Sequence, residues 1–127
     1  MPSNHPKEMS EVGCVFCAIA RGDIPAEFVY QDEWVVAFDD LSPQAPVHTL
    51  VIPRAHHAHL GDSVGPDLVA AIFSAIPAVA RAKGVEESGY RVIVNAGRDA
   101  NQTVDHLHVH VLGGRTMAHG MVAFEDQ

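Results

Sequence analysis

Residues 106–112 read His106-Leu107-His108-Val109-His110-Val111-Leu112, with three imidazoles and three aliphatic side chains in alternation and Leu112 at the end. An extended backbone turns successive side chains to opposite faces, so a period of two predicts a strand. One face of that strand is aliphatic and must be buried, and the other carries three histidines. Gly113-Gly114 closes the run, and the strand is expected over Val104 to Leu112. It needs neighbours for its hydrogen bonds and a layer over its aliphatic face, which commits the chain to a covered sheet.

The rest of the sequence supplies both. Glu27 to Tyr30 and Trp34 to Phe38 predict two strands of a hairpin turning at Gln31-Asp32-Glu33. Asp39 to Pro46, with two prolines, is a loop; His48 to Ile52 is a third strand, closed by Pro53. Tyr90 to Asn95 is another strand, followed by a loop from Ala96 to Thr103. Val15 to Arg21 predicts a short helix ending at Gly22. A long helix is expected from Pro66 to Lys83, with Asp67 in its first turn and Gly84 past its end. Leu68, Ala71, Ile72, Ala75, Ile76 and Val79 recur on one side of it, and Pro77 should kink it or displace one bond. The order of elements is that of an α+β fold: an antiparallel sheet of about five strands, one long helix and a short N-terminal helix.

A chain of 127 residues with 47% apolar and 19% charged side chains suits one domain with one core. Met1 to Glu11 is polar, without the apolar stretch of a secretory leader, and is expected to be a loose tail. The domain then spans 12–117, with a second tail over 118–127. No apolar run approaches the length of a membrane-spanning helix, so neither membrane nor secretion is expected and the cytoplasm is the default location. The net charge of -8 argues against a non-specific grip on DNA or RNA. A small phosphate ligand stays open, because backbone amides, hydroxyls and imidazoles can hold one.

Residues of one strand face repeat about every 6.6 Å, which puts His106 and His110 roughly 13 Å apart. One zinc ion needs nitrogens about 2.1 Å away, so the three histidines alone make a poor metal site. A solvated face that merely happens to be histidine is the plainer reading. A chemical one accounts better for strict alternation. Neutral imidazole is a nucleophile near physiological pH, and attack on phosphorus gives a phosphohistidine that water can later hydrolyse. Flanking imidazoles can donate hydrogen bonds to the phosphate oxygens as charge builds. The central residue, His108, is then the nucleophile.

The same residues resemble a known family. His106 to Leu112 is similar to the histidine-triad (HIT) signature, with histidines and apolar residues in the same places. The likeness extends through Asp40-Leu41-Ser42-Pro43-Gln44-Ala45-Pro46-Val47-His48 to Pro53, and through Gly113-Gly114-Arg115-Thr116-Met117. These stretches look like the Hint branch, which hydrolyses purine nucleoside phosphoramidates. The resemblance implies a nucleotidyl intermediate on His108, flanked by His106 and His110, with His48 in the same polar cluster. It implies that Asn95 and Thr103 contact the α-phosphate and that Asp40 holds the ribose hydroxyls. Val15, Phe16, Ile19, Phe38 and Leu41 would form the purine slot, although by themselves these five read as ordinary core. A homodimer is also implied, with the long helix and the Tyr90 to Asn95 strand at the interface.

Cys14-x-x-Cys17 is the only cysteine pair, at a spacing shared by zinc sites and redox centres. No thioredoxin-like context follows, which leaves zinc or two reduced thiols in the core. Some histidine-triad relatives bind zinc through such a pair with two histidines, and by that resemblance the ligands are Cys14, Cys17, His48 and His106. His56, His57 and His59 are a rival source on a stretch that reads as a solvated connector. No organic cofactor is expected. Asp105 stands where the branch has tyrosine or an apolar residue, and the tail after Met117 lacks the branch's tryptophan and proline pair. Two other functions compete: hydrolysis of dinucleoside polyphosphates by the same chemistry, and a nucleotide- or zinc-binding interaction module with little turnover.

Overall fold

The structure, a computed structural model, describes residues 13–125. The expected tail over 1–11 lies outside them. Among the described residues two helices, α1 (Val15–Arg21) and α2 (Pro66–Ala82), accompany five strands: β1 (Phe28–Gln31), β2 (Val35–Asp39), β3 (Val47–Pro53), β4 (Tyr90–Val94) and β5 (Val109–Gly113). The strands form one antiparallel sheet in the order β1-β2-β3-β5-β4. This is the expected α+β architecture. Among the described residues no helix is long and apolar enough to cross a membrane.

The pleat divides the molecule. Val35, Ala37, Val51, Leu107, Val109 and Val111 pack with Leu68, Ile72, Ala75, Ile76 and Val79 of α2. The opposite set, Val36, Phe38, Leu50 and Ile52, packs with Phe16 and Ala20 of α1. Helix α2 therefore covers one face with the stripe read from its sequence, except that Ala71 is only partly buried and Ala80 joins the buried set. Pro77 does not end the helix: the residue is exposed, off the buried stripe, and α2 runs on to Ala82. Seven residues suffice for α1 because both ends are capped. Cys14 Sγ accepts from the Cys17 amide at 3.3 Å, and Gly22 closes the helix at φ 86°.

One strand is shorter than its pattern. The alternation predicts pairing from Val104, yet only Val109–Gly113 is strand. Its last partner on β3 is Val51, opposite Val109; two residues on, β3 ends at Pro53, which has no amide to donate. The Leu107 amide instead donates to the His57 carbonyl at 2.7 Å. Leu107 still faces the α2 core, and His106 and His108 still face α1, so the faces survive without the ladder.

Candidate active site and metal cluster

A cleft of about 1210 Å³ opens on the α1 side of the sheet, lined by His108 and His110 together with Asp40, Asn95 and Thr103. Val15, Phe16, Ile19, Phe38 and Leu41 line it as well, so the expected purine-slot residues do come together. They are unequal. Phe16 and Phe38 are buried and meet edge to face at 5.7 Å, whereas Leu41 is 98% exposed and stands at the mouth. Phe16 also packs edge-on to His106 and His108, with ring centroids 5.9 and 5.3 Å away. Helix α1 thus fixes one wall of the cleft against the histidines themselves.

The protons on these imidazoles follow from their partners. His108 Nδ1 lies 2.8 Å from the His106 carbonyl, which can only accept, so Nδ1 carries the hydrogen and the lone pair sits on Nε2. His106 is the reverse. Its Nε2 donates to the Pro53 carbonyl at 2.8 Å, which leaves a lone pair on Nδ1. Burial pushes the His106 pKa down to about 4, against the Pro53 bond, which favours the proton. His110 is also held to about 4, by burial and then by neighbouring His108 and His48, with Asp40 acting in the opposite sense. Both rings are neutral near pH 7.

His106 points its Nδ1 at the cysteines, 3.3 Å from Cys14 Sγ and 3.5 Å from Cys17 Sγ. The fourth member of this group is His56, whose Nδ1 is 3.3 Å from Cys17 Sγ. The donor atoms of Cys14, Cys17, His56 and His106 all lie within 4.8 Å of one another, close enough to hold a metal ion. This corrects the ligand set expected from resemblance, which had His48 in place of His56. The register explains the difference. His48 pairs with Leu112, and His106 lies six positions earlier, about 20 Å away along an extended chain. His48 therefore sits at the far end of the array, with Nε2 2.8 Å from His110 Nδ1 and 3.5 Å from an Asp40 oxygen.

The connector bearing His56 is not solvated, as its polarity suggested. Ala55 and His57 are each 1% exposed, and His57 Nδ1 donates to the Asp62 carbonyl at 2.7 Å. Gln102 Nε2 donates to the carbonyls of Ala58 and Val104, tying the connector to the loop that carries Thr103. Asp105 is exposed on that loop.

The loop between β2 and β3 supplies what side-chain reasoning missed. Asp40 Oδ1 accepts from the Ser42 amide at 2.8 Å, and the Gln44 amide donates to His48 Nδ1 at 3.0 Å. Gly114 holds this loop in place. Its φ is +91°, and a Cβ there would lie 2.9 Å from Pro46 Cβ, so a larger residue would be strained and would have to displace Pro46.

Known proteins resemble the chain over nearly all of this framework. The family model described as "HIT domain" matches residues 21–117. The purine nucleoside phosphoramidase of Escherichia coli is 39% identical over 105 residues, covering 81% of this chain and 88% of that protein. A histidine triad protein of Clostridium difficile superposes with a TM-score of 0.84 at 43% identity, over 89% of this chain and all of the other. A HIT family hydrolase of Legionella pneumophila gives 0.79 at 44% identity, over 84% and 97%.

Proposed function

The chain belongs to the HIT domain family, and from that premise we propose that it is a nucleotide hydrolase acting on the α-phosphorus of purine nucleoside phosphoramidates. The observation that carries this reading is the orientation of His108. Its Nδ1–H is held by a carbonyl of its own segment, which leaves the Nε2 lone pair in a cleft with aromatic walls. The purine would lie between Phe16, Ile19 and Phe38, with its ribose at Asp40 and its phosphate at Asn95 and Thr103, all of which line the cleft.

In the first step Nε2 bonds to phosphorus and the P–N bond to the amine breaks, its electron pair going to nitrogen with a proton from solvent. The phosphohistidine is cationic, and the His106 carbonyl on Nδ1–H favours that charge. Water then forms the new P–O bond and loses a proton to solvent, the P–Nε2 bond breaks with its electron pair returning to Nε2, and nucleoside monophosphate leaves with neutral His108 restored. His110 donates to a phosphate oxygen as charge develops. The test is AMP release from adenosine 5′-phosphoramidate. Equal rates for wild type and His108→Ala would refute the nucleophile.

For the second cluster we infer zinc, bound by Cys14, Cys17, His56 and His106. Two thiolates and two imidazoles are a frequent zinc donor set, and tetrahedral Zn–S and Zn–N bonds of about 2.3 and 2.1 Å would separate S from N by roughly 3.6 Å. The S···N distances of 3.3 to 3.5 Å are close to that. The ion's role would be structural: it would pin α1, and so Phe16, to the sheet. Reduced thiols of this kind suit the cytoplasm. We also infer a homodimer formed through the β4 edge and α2, where Val92 and Phe73 are 36% and 47% exposed.

A further inference from the structure

Asp40, His48 and His110 form a second group whose donor atoms lie within 4.8 Å of one another, and by composition it resembles a metal site. The proton positions say otherwise. A backbone amide can only donate, so His48 Nδ1, 3.0 Å from the Gln44 amide, must be the unprotonated nitrogen. Neutral His48 therefore carries its hydrogen on Nε2, which points at His110 Nδ1 at 2.8 Å. The reverse direction across that contact would leave His48 with no hydrogen at all, an imidazolate. His110 Nδ1 accordingly accepts, and its own hydrogen is on Nε2, a buried atom without a hydrogen-bond partner on a side chain that lines the cleft.

We propose that the main-chain amide of Gln44 is a positioning group that locks His48 and His110 as Nε2–H tautomers, making His110 a fixed hydrogen-bond donor into the cleft. The chain of donation runs Gln44 N–H to His48, His48 Nε2–H to His110, and His110 Nε2–H to the ligand. It explains an otherwise costly orphan donor, since an unpaired buried N–H is retained where a ligand oxygen will meet it. It also sets a limit. His110 has no second proton to give, because passing the Nε2 hydrogen across would leave His48 an imidazolate, and restoring a hydrogen on its Nδ1 would strand the Gln44 amide. His110 then holds its proton through the reaction and stabilises charge. The same limit disfavours a metal here, since a cation on His48 Nε2 would force the hydrogen onto Nδ1, against the Gln44 N–H. The cysteine cluster passes this test, because its His106 nitrogen bears a lone pair.

The lock rests on geometry alone, whereas its catalytic use rests on the phosphorus chemistry proposed above, and the two are read separately. Two-bond ¹H–¹⁵N spectra of ¹⁵N-histidine-labelled, metal-replete protein near pH 7 should show His48 and His110 both as Nε2–H. A wild-type spectrum with Nδ1–H on either ring overturns the lock, and needs no variant that might fail to fold. Gln44→Pro removes this amide hydrogen along with the side chain and fixes φ, and should give mixed tautomers at both rings; Gln44→Ala removes the side chain but keeps the amide and should keep the wild-type spectrum. An unchanged His110 in Gln44→Pro overturns the coupling. With adenosine phosphoramidate, kcat of Gln44→Pro should fall on the order of 10²-fold, as when one donor to a developing charge is lost, with KM little changed. Shifted tautomers with unchanged kcat would overturn the catalytic use. Nε2–H rings in a protein that turns over no phosphoramidate would leave the lock standing and refute the functional reading instead.

Discussion

His110 is half-buried in the wall of the cleft, and the desolvation of its ring has a measurable cost. Its pKa in the folded chain is about 4, against an ordinary value of 6.5. Between those values the unfolded chain binds the extra proton and the folded chain does not, so stability rises with pH across the window. Denaturant unfolding should accordingly show stability falling as pH drops from 6.5 towards 4, and His110→Asn should flatten that slope. Steric demands act on single residues as well. Gly114 is at φ +91° against Pro46, so Gly114→Val should cost about 1–3 kcal/mol and disturb the loop that holds Asp40 and Gln44. The check is chemical denaturation, with nucleotide affinity measured alongside.

At the scale of elements, α1 is the part that the proposed zinc site would hold most directly. It has seven residues, too few to be stable alone, and its position depends on Phe16, Ala20 and the cysteines. Cys17→Ser should therefore drop the zinc content from about one per chain to none and lower Tm by about 5 °C or more, with weakened nucleotide binding as Phe16 loosens. Helix α2 has its own buried stripe, and Ile72→Ala there should cost about 2–5 kcal/mol with the metal retained. These elements were legible in the sequence because glycine, proline and aliphatic spacing report local geometry directly. The faces of β5 were legible for the same reason. Register was not: whether His48 or His56 meets the cysteines depends on which residues of β3 and β5 stand opposite each other, and no single strand records that. The connector at 54–59 misled for a related cause, since its polar groups find partners in distant segments. The Gln44 amide left no trace at all, because every residue except proline has one.

For the whole molecule, the sheet gathers the site from segments scattered along the chain. Residues 14–19, 38–41, 95, 103 and 108–110 meet because β3 and β5 are central and α1 folds back on them. The β4 edge is the other feature at this scale. Sedimentation equilibrium should give a dimer for the wild type and a monomer for Val92→Asp, which puts a charge on that edge. The central claim concerns a bond to His108. It is tested most directly by mass spectrometry of protein mixed with adenosine phosphoramidate and quenched without acid, which would cleave an N–P bond. An adenylyl adduct mapped to His108, absent from His108→Ala, is the expected result; full turnover by His108→Ala with no adduct in the wild type would contradict it.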